Sequence, residues 1–407
     1  MALPPRVGLA HLVSSWADTL AAGRARCPVE TTMTAQALLA FDTFPTDRET
    51  GFEIGWDFAH HGLVPPVEWL AIGSPLRHGW DAGRANFGPR TLGAPRAVRK
   101  WLQLRLNAWR RGRAFETVQV TPNYLRQIDA DVCPITREPL THCSGTPADA
   151  SIDRVRNDAG YAAGNLAVMS TRANEAKGDA DFDAALSAMR RAESTMADVD
   201  GLPATAWARV AVLCSFVTPL PHDQAAGLPL LVLPPNRLRL FNPVQALQAL
   251  VTRQFGRDGW SARVARIEAL LPGKPLRRDF QRLVHALLPR VLEAGRDLDD
   301  RARTCALEDA WRNPLVLRCW TRLARQLDAA ACEKLVLRAA ALRLAPGLVQ
   351  PYDDLRQATE GWALDSAGYV ARRPAPLRRQ RTDQPSSGTI SIAPQGHSAA
   401  QMPQPLQ

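Results

Sequence analysis

The chain has 407 residues, of which 46% are hydrophobic, and this apolar content supports two or three globular domains and excludes wholesale disorder. Its 50 basic residues, all but four of them arginine, exceed the 40 acidic residues by ten, which favours a polyanionic partner over a basic one. The arginine excess has a second interpretation, because genomic base composition alone can enrich arginine and alanine.

Cysteine usage and the N-terminus both indicate the cytoplasm. The seven cysteines are scattered and never form a Cys-x-x-Cys pair, which is typical of reduced thiols. The first ten residues lack the apolar segment and cleavage site of a secretory signal. No uninterrupted apolar run reaches the ~20 residues that cross a bilayer. We therefore expect a cytoplasmic protein without a membrane contact.

The N-terminal part of the chain divides into two patterns. Residues 1–93 are rich in aromatic residues and glycine, and their turn signals predict a mixed α+β region. Residues 94–115 change to a helical pattern in which Val98, Leu102 and Leu106 recur every four residues. This spacing predicts one basic amphipathic helix with a single apolar stripe.

The opposite face of that helix carries cations. Seven cationic side chains and no acidic one lie between Arg96 and Arg113, so pairs within the helix cannot neutralise them. Two interpretations are open: the face binds a polyanion, or its acidic partners come from another part of the chain. The candidate nucleic-acid ligands on this helix are Arg96, Arg99, Lys100, Arg110 and Arg111.

The C-terminal half is predicted to be helical. Apolar stripes separated by proline and glycine run through residues 181–371 without a fixed-period repeat, which predicts an ordinary helical domain. Residues 372–407 are basic and rich in proline and glutamine, with few large apolar side chains, and we expect this tail to be disordered.

The segment between these regions carries the most informative residues. A β-prone piece with a turn, residues 133–140, is followed by residues 151–155, which read Ser-Ile-Asp-Arg-Val. A polar loop then leads to residues 165–169, which read Asn-Leu-Ala-Val-Met. A helix that Ser170 or Thr171 can cap comes next. The predicted order is therefore hairpin, loop and helix.

The spacing of these residues resembles that of the HNH (ββα-metal) endonucleases. The matched residues are Asp153-Arg154, Asn165-Leu166, Asn174 nine residues later, and Lys177-Gly178. The pattern is most similar to a variant with Ser-x-Asp-Arg and Gly-Tyr, and it spans about residues 122–180. The resemblance implies a small ββα-metal module, residues 116–180, and with the helical patterns of the flanking regions it predicts an α+β, predominantly helical protein.

The resemblance also implies a function and a set of roles. Hydrolysis of phosphodiester bonds in DNA would use Mg²⁺ or Mn²⁺ held by Asp153 and Asn174, since carboxylate and amide oxygens suit hard cations. Asn165 would steady the loop. Arg154 and Lys177 join the candidate ligands of the nucleic acid, because a guanidinium or an ammonium can bind a phosphate.

Two departures from the family pattern matter for catalysis and for zinc. Arg154 stands where the family has a general-base histidine, and a protonated arginine cannot accept a proton. His142, Asp158 or a metal-bound hydroxide could replace that base. No structural zinc is expected, because Ser170 and Ala173 stand where many relatives have their second cysteine pair.

The missing histidine leaves three functions open. The first is a metal-dependent DNA endonuclease with a variant active site. The second is a non-catalytic protein that carries a degenerate HNH module and binds DNA, or alternatively RNA or a protein. The third is a helical adaptor without any nucleic-acid role, whose arginines reflect composition alone.

Overall fold

The computed structural model describes residues 46–293 and 299–344. This part of the chain is predominantly α-helical and contains one two-stranded antiparallel sheet, which confirms an α+β, mostly helical fold. Residues 1–45 of the predicted mixed region, residues 345–371 of the predicted helical domain and the predicted tail, 372–407, lie outside the described residues. No helix among the described residues is long and apolar enough to span a membrane.

The strands and helices follow one another in a simple order. A single 3-10 turn, Val67–Trp69, separates the first two helices. The strands are β1 (Ala150–Arg154) and β2 (Leu166–Ser170). The helices are α1 (Thr46–His60), α2 (Pro75–Phe87), α3 (Arg96–Arg110), α4 (Pro122–Ile128), α5 (Thr171–Lys177), α6 (Phe182–Thr195), α7 (Ala204–Phe216), α8 (His222–Gly227), α9 (Pro243–Gln254), α10 (Trp260–Leu270), α11 (Lys274–Leu292), α12 (Asp300–Ala310), α13 (Pro314–Ala324) and α14 (Ala329–Ala341).

Helices α1 and α2 cross at very short range, and glycine makes this possible. A Cβ added at Gly55 would lie 1.9 Å from the carbonyl oxygen of Leu76, and one added at Gly79 would lie 1.9 Å from that of Phe52. Gly62 and Gly73 lie in turns, as the sequence predicts, whereas Gly55 and Gly79 lie inside helices, where the absence of a side chain permits this close approach. Within residues 46–93 the structure shows helices and no strand.

Helix α3 belongs to two hydrophobic cores. Val98, Leu102 and Leu106 pack with the buried residues of α1 and α2. Leu104 and Ala108 pack into a second, larger core that continues through the sheet to the C-terminal helices. The predicted helix and its apolar stripe are confirmed, and the helix is anchored on both flanks.

The sheet and α5 form a compact ββα unit. Strand β1 pairs with β2 from Ala150↔Ser170 to Arg154↔Leu166, and α5 follows β2 without a loop. Ser170 is the N-cap of α5, as the sequence predicts, because its hydroxyl accepts a hydrogen bond from the amide of Ala173 at 3.2 Å. Helix α7 is buried along almost its whole length and shares the larger core with this unit.

Candidate functional site

Two pairs of polar side chains join β1 to α5. The Oδ2 atom of Asp153 lies 3.0 Å from the Nζ atom of Lys177, and Nδ2 of Asn174 donates a hydrogen bond to Oγ of Ser151 at 2.8 Å. Residues two apart on a strand share a face, and residues three apart on a helix lie nearly one above the other. The two pairs therefore form successive cross-links between the strand and the helix.

The Asp153–Lys177 ion pair is shielded from water. The side chain of Asp153 is 5% exposed and that of Lys177 is fully buried. The ammonium also donates a hydrogen bond to the carbonyl oxygen of Arg154 at 3.2 Å. Burial raises the pKa of Asp153 above its usual value, and the charge of Lys177 acts in the opposite direction.

Helix α7 contributes a thiol beside this pair. Burial raises the pKa of Cys214 to about 12, and the thiol interacts electrostatically with Lys177 and Asp153. Its sulfur lies 3.8 Å from the carbonyl oxygen of Ala180 and 4.0 Å from that of Val155. Cys214 is therefore a neutral packing group, and the C-terminal helices contribute to the surroundings of Asp153.

The residues that the resemblance assigns to a divalent cation do not fit one in this arrangement. The charge of Asp153 is already balanced by Lys177, and the amide of Asn174 is committed to Ser151 through its nitrogen. Among the residues that the structure describes, no group of three or more His, Cys, Asp or Glu side chains could hold a metal. A cation would have to displace the ammonium of Lys177 from a buried position.

Arg154 is bound to the loop between the strands. It is 8% exposed, and its Nη1 atom donates hydrogen bonds of 3.0 Å to the carbonyl oxygens of Asn157 and Ala159. Its guanidinium also lies 5.1 Å from the ring centre of Tyr161. These contacts stabilise the loop, and the burial of Arg154 leaves little of its guanidinium accessible to a phosphate.

Asn165 connects the two ends of the same loop. Its Oδ1 atom accepts a hydrogen bond from the amide of Arg156 at 2.9 Å, and its Nδ2 atom donates to the carbonyl oxygens of Arg156 and Gly160 at 3.0 Å. The side chain is fully buried. This is the geometry of a loop brace, the role that the resemblance implies for it.

The two candidate bases lie on the surface. His142 is exposed in the turn before β1, and Asp158 is exposed and bound by Arg156 through two hydrogen bonds of 2.7 Å. The electrostatic partners of Asp153 are instead Lys177, Arg154 and Asp179. The structure does not bring either candidate base into contact with Asp153.

Ser170, which stands where many relatives have a zinc-binding cysteine, is hydrogen-bonded here to a buried thiol. The sulfur of Cys133 accepts hydrogen bonds from the amide and hydroxyl of Ser170 at 3.3 and 3.4 Å, and from the amide of Thr136 at 3.4 Å. Cys133 is fully buried, whereas Cys143 is exposed. Cys133 thus links the turn of residues 133–140 to the start of α5.

The cations of α3, together with Arg111 directly after it, fall into two groups. Arg96 pairs with Asp129, Lys100 donates to the carbonyl oxygen of Ala150 at 3.3 Å, and burial lowers the pKa of Lys100. Arg105 is buried and pairs with two carboxylates of α1. The second group, Arg99, Arg110 and Arg111, is exposed, and these three form no ion pair within the described residues.

Sequence reasoning missed two members of the candidate site. The resemblance makes Lys177 a candidate ligand of nucleic acid, whereas its position three residues after Asn174 indicates that both side chains face β1. Cys214 lies in α7, whose nearly continuous apolar run signals a fully buried helix without showing what it covers.

Comparison of the chain with family models, with curated proteins and with solved structures finds no match. The functional proposal therefore depends on geometry and charge.

Proposed function

We propose that this protein binds nucleic acid through the exposed cations of α3, and that the ββα unit is a scaffold instead of a catalytic centre. The observation that carries the proposal is the exposure of Arg99, Arg110 and Arg111 without an acidic partner in the described part of the chain. Guanidinium groups bind phosphate oxygens in pairs of hydrogen bonds, and such contacts supply most non-specific affinity for nucleic acids.

The ββα unit holds α3 in place. Lys100 connects the helix to the start of β1, and the indole nitrogen of Trp101 donates to the carbonyl oxygen of Val120 at 2.8 Å. Leu104 and Ala108 pack into the core that also contains the sheet. The polar residues of the unit bind one another, which supports a structural role for them.

Fluorescence anisotropy with labelled DNA tests this proposal. We expect the wild-type protein to bind at low salt, with log affinity falling linearly as log salt rises. The double variant Arg110→Glu and Arg111→Glu should bind at least ~10-fold more weakly, because each change removes a phosphate ligand and adds a repulsive charge. The absence of wild-type binding at low salt would overturn the proposal and favour an adaptor.

A matched control separates local charge from net charge. Arg318 and Arg325 are exposed on and just after α13, and reversing both changes the net charge by the same amount. We expect this control to retain nearly all of the wild-type affinity. An equal loss in both variants would show that overall charge, and not the α3 surface, attracts the ligand.

Metal-dependent cleavage of DNA is the second candidate. It is favoured by the order of β1, a loop braced by Asn165, β2 and α5, which is the order that the resemblance implies. The test incubates plasmid DNA with the protein and Mg²⁺ or Mn²⁺. Cleavage by the wild type that is lost on Asn174→Ala, a half-buried position, would establish this candidate. Intact plasmid under both metals supports the scaffold role.

A further inference from the structure

The outward arc of α3 has an unusual composition. At about 100° per residue, five exposed or half-exposed side chains of the helix fall within roughly 80° of its circumference. The arc contains only arginines and carboxamides, namely Arg96, Arg99, Gln103, Asn107 and Arg110. One side of the arc borders the core that contains Leu106, and the other side borders Lys100 and then the core that contains Leu104. Neither an acidic nor an apolar side chain interrupts it.

We propose that α3 is a recognition helix that lies in the major groove of duplex DNA. Gln103 and Asn107 would contact base edges there, and Arg99, Arg110 and Arg111 would bind the phosphates on either side. This inference rests on the proposed function and adds the form of nucleic acid and the means of sequence recognition.

The dimensions of the helix suit this groove. A helix of 15 residues is about 22 Å long, and the major groove of B-form DNA, about 12 Å wide, admits an α-helix. Arg99 and Arg110 are separated by about 16 Å along the axis, so their long side chains reach the two backbones that border the groove. Gln103 and Asn107 lie between them, about 6 Å apart along the axis.

The chemistry of the central pair favours adenine. A carboxamide presents one donor and one acceptor side by side, which matches the N6 amino group and the N7 atom of adenine in the major groove. Arg96 lies at the N-terminal end of the arc and is paired with Asp129. We therefore expect Arg99 to make the phosphate contact at that end. We expect about 10-fold discrimination against a changed base at a contacted position.

The same features disfavour RNA and single strands. The major groove of A-form RNA is too narrow and deep for side chains to read. Proteins that bind single strands stack bases on aromatic side chains, and the arc of α3 contains none.

Selection from a random duplex library, followed by binding curves on selected and scrambled sites, tests the inference. Gln103→Ala with Asn107→Ala should lower the preference for the selected site about 10-fold and leave the salt dependence unchanged. Arg110→Ala with Arg111→Ala should weaken binding to all sequences and reduce the salt slope by about 2. Asn86→Ala, an exposed amide on α2, is the matched control and should change neither property.

The possible failures are distinguishable. Equal affinity for duplex DNA, duplex RNA and single strands, or an unchanged sequence preference in the carboxamide variant, would overturn the recognition helix and leave general binding intact. The absence of binding to any nucleic acid would overturn the proposed function itself.

Discussion

The ββα unit and the arc of α3 use similar polar side chains in opposite ways. In the ββα unit, Asp153, Arg154 and Asn165 are buried and bonded to neighbours within the protein. On α3, Arg99, Gln103 and Arg110 are exposed to solvent. A polar side chain is therefore available to a ligand where the fold leaves it exposed and without an acidic partner. Substitutions in the first region should therefore cost stability, and those in the second should cost binding.

The largest effect on stability is expected for Asp153→Ala. This change leaves the buried ammonium of Lys177 without its counter-charge, and breaking a buried ion pair from one side costs about 3–5 kcal/mol. Urea unfolding monitored by circular dichroism would measure it. Asp158→Ala, at an exposed carboxylate, is the control and should cost much less. A similar loss for both variants would mean that Asp153 is not in a buried pair.

Lys177→Met should make stability depend more strongly on pH than in the wild type. The pKa of Asp153 is already raised by burial, and removing the lysine raises it further. A carboxyl group with a raised pKa in the folded state is stable when protonated, so the free energy of unfolding should fall as pH rises above the ordinary pKa of aspartate. Urea unfolding curves recorded at intervals of about one pH unit, between pH 4 and pH 8, would measure this dependence of the free energy of unfolding. A flat profile would contradict it.

Arg154→Met should separate stability from binding. The variant loses two hydrogen bonds to loop carbonyls and the contact with Tyr161, which together are worth about 2 kcal/mol. Its affinity for DNA should remain that of the wild type at a temperature where both proteins are folded. A selective loss of affinity without a loss of stability would place Arg154 on the nucleic acid.

The smallest effect on stability is expected for Gln103→Ala with Asn107→Ala. Both side chains point outward from a helix that is held by its other faces, and such surface changes shift the free energy of unfolding by less than about 0.5 kcal/mol each. Thermal unfolding beside the wild type would show it. A large destabilisation would mean that the arc packs against part of the protein and is not free for DNA.

Local patterns in the sequence predict the elements well, and long-range contacts decide the site. The apolar stripe of α3, the order of β1, β2 and α5, and the cap at Ser170 depend on neighbouring residues, so they can be derived from spacing. The pairing of Asp153 with Lys177 depends on how α5 lies across β1 and on burial beneath α7. The glycines of α1 and α2 likewise acquire their meaning only from the partner helix.

The double anchoring of α3 has an entropic consequence. Basic segments that fold only on contact with nucleic acid lose conformational entropy at that moment, which weakens their affinity for a given contact area. The backbone of α3 is already ordered by Val98 and Leu102 on one flank and by Leu104 and Ala108 on the other. Its backbone is thus preorganised, so the internal freedom of α3 that association would restrict is that of its side-chain rotamers.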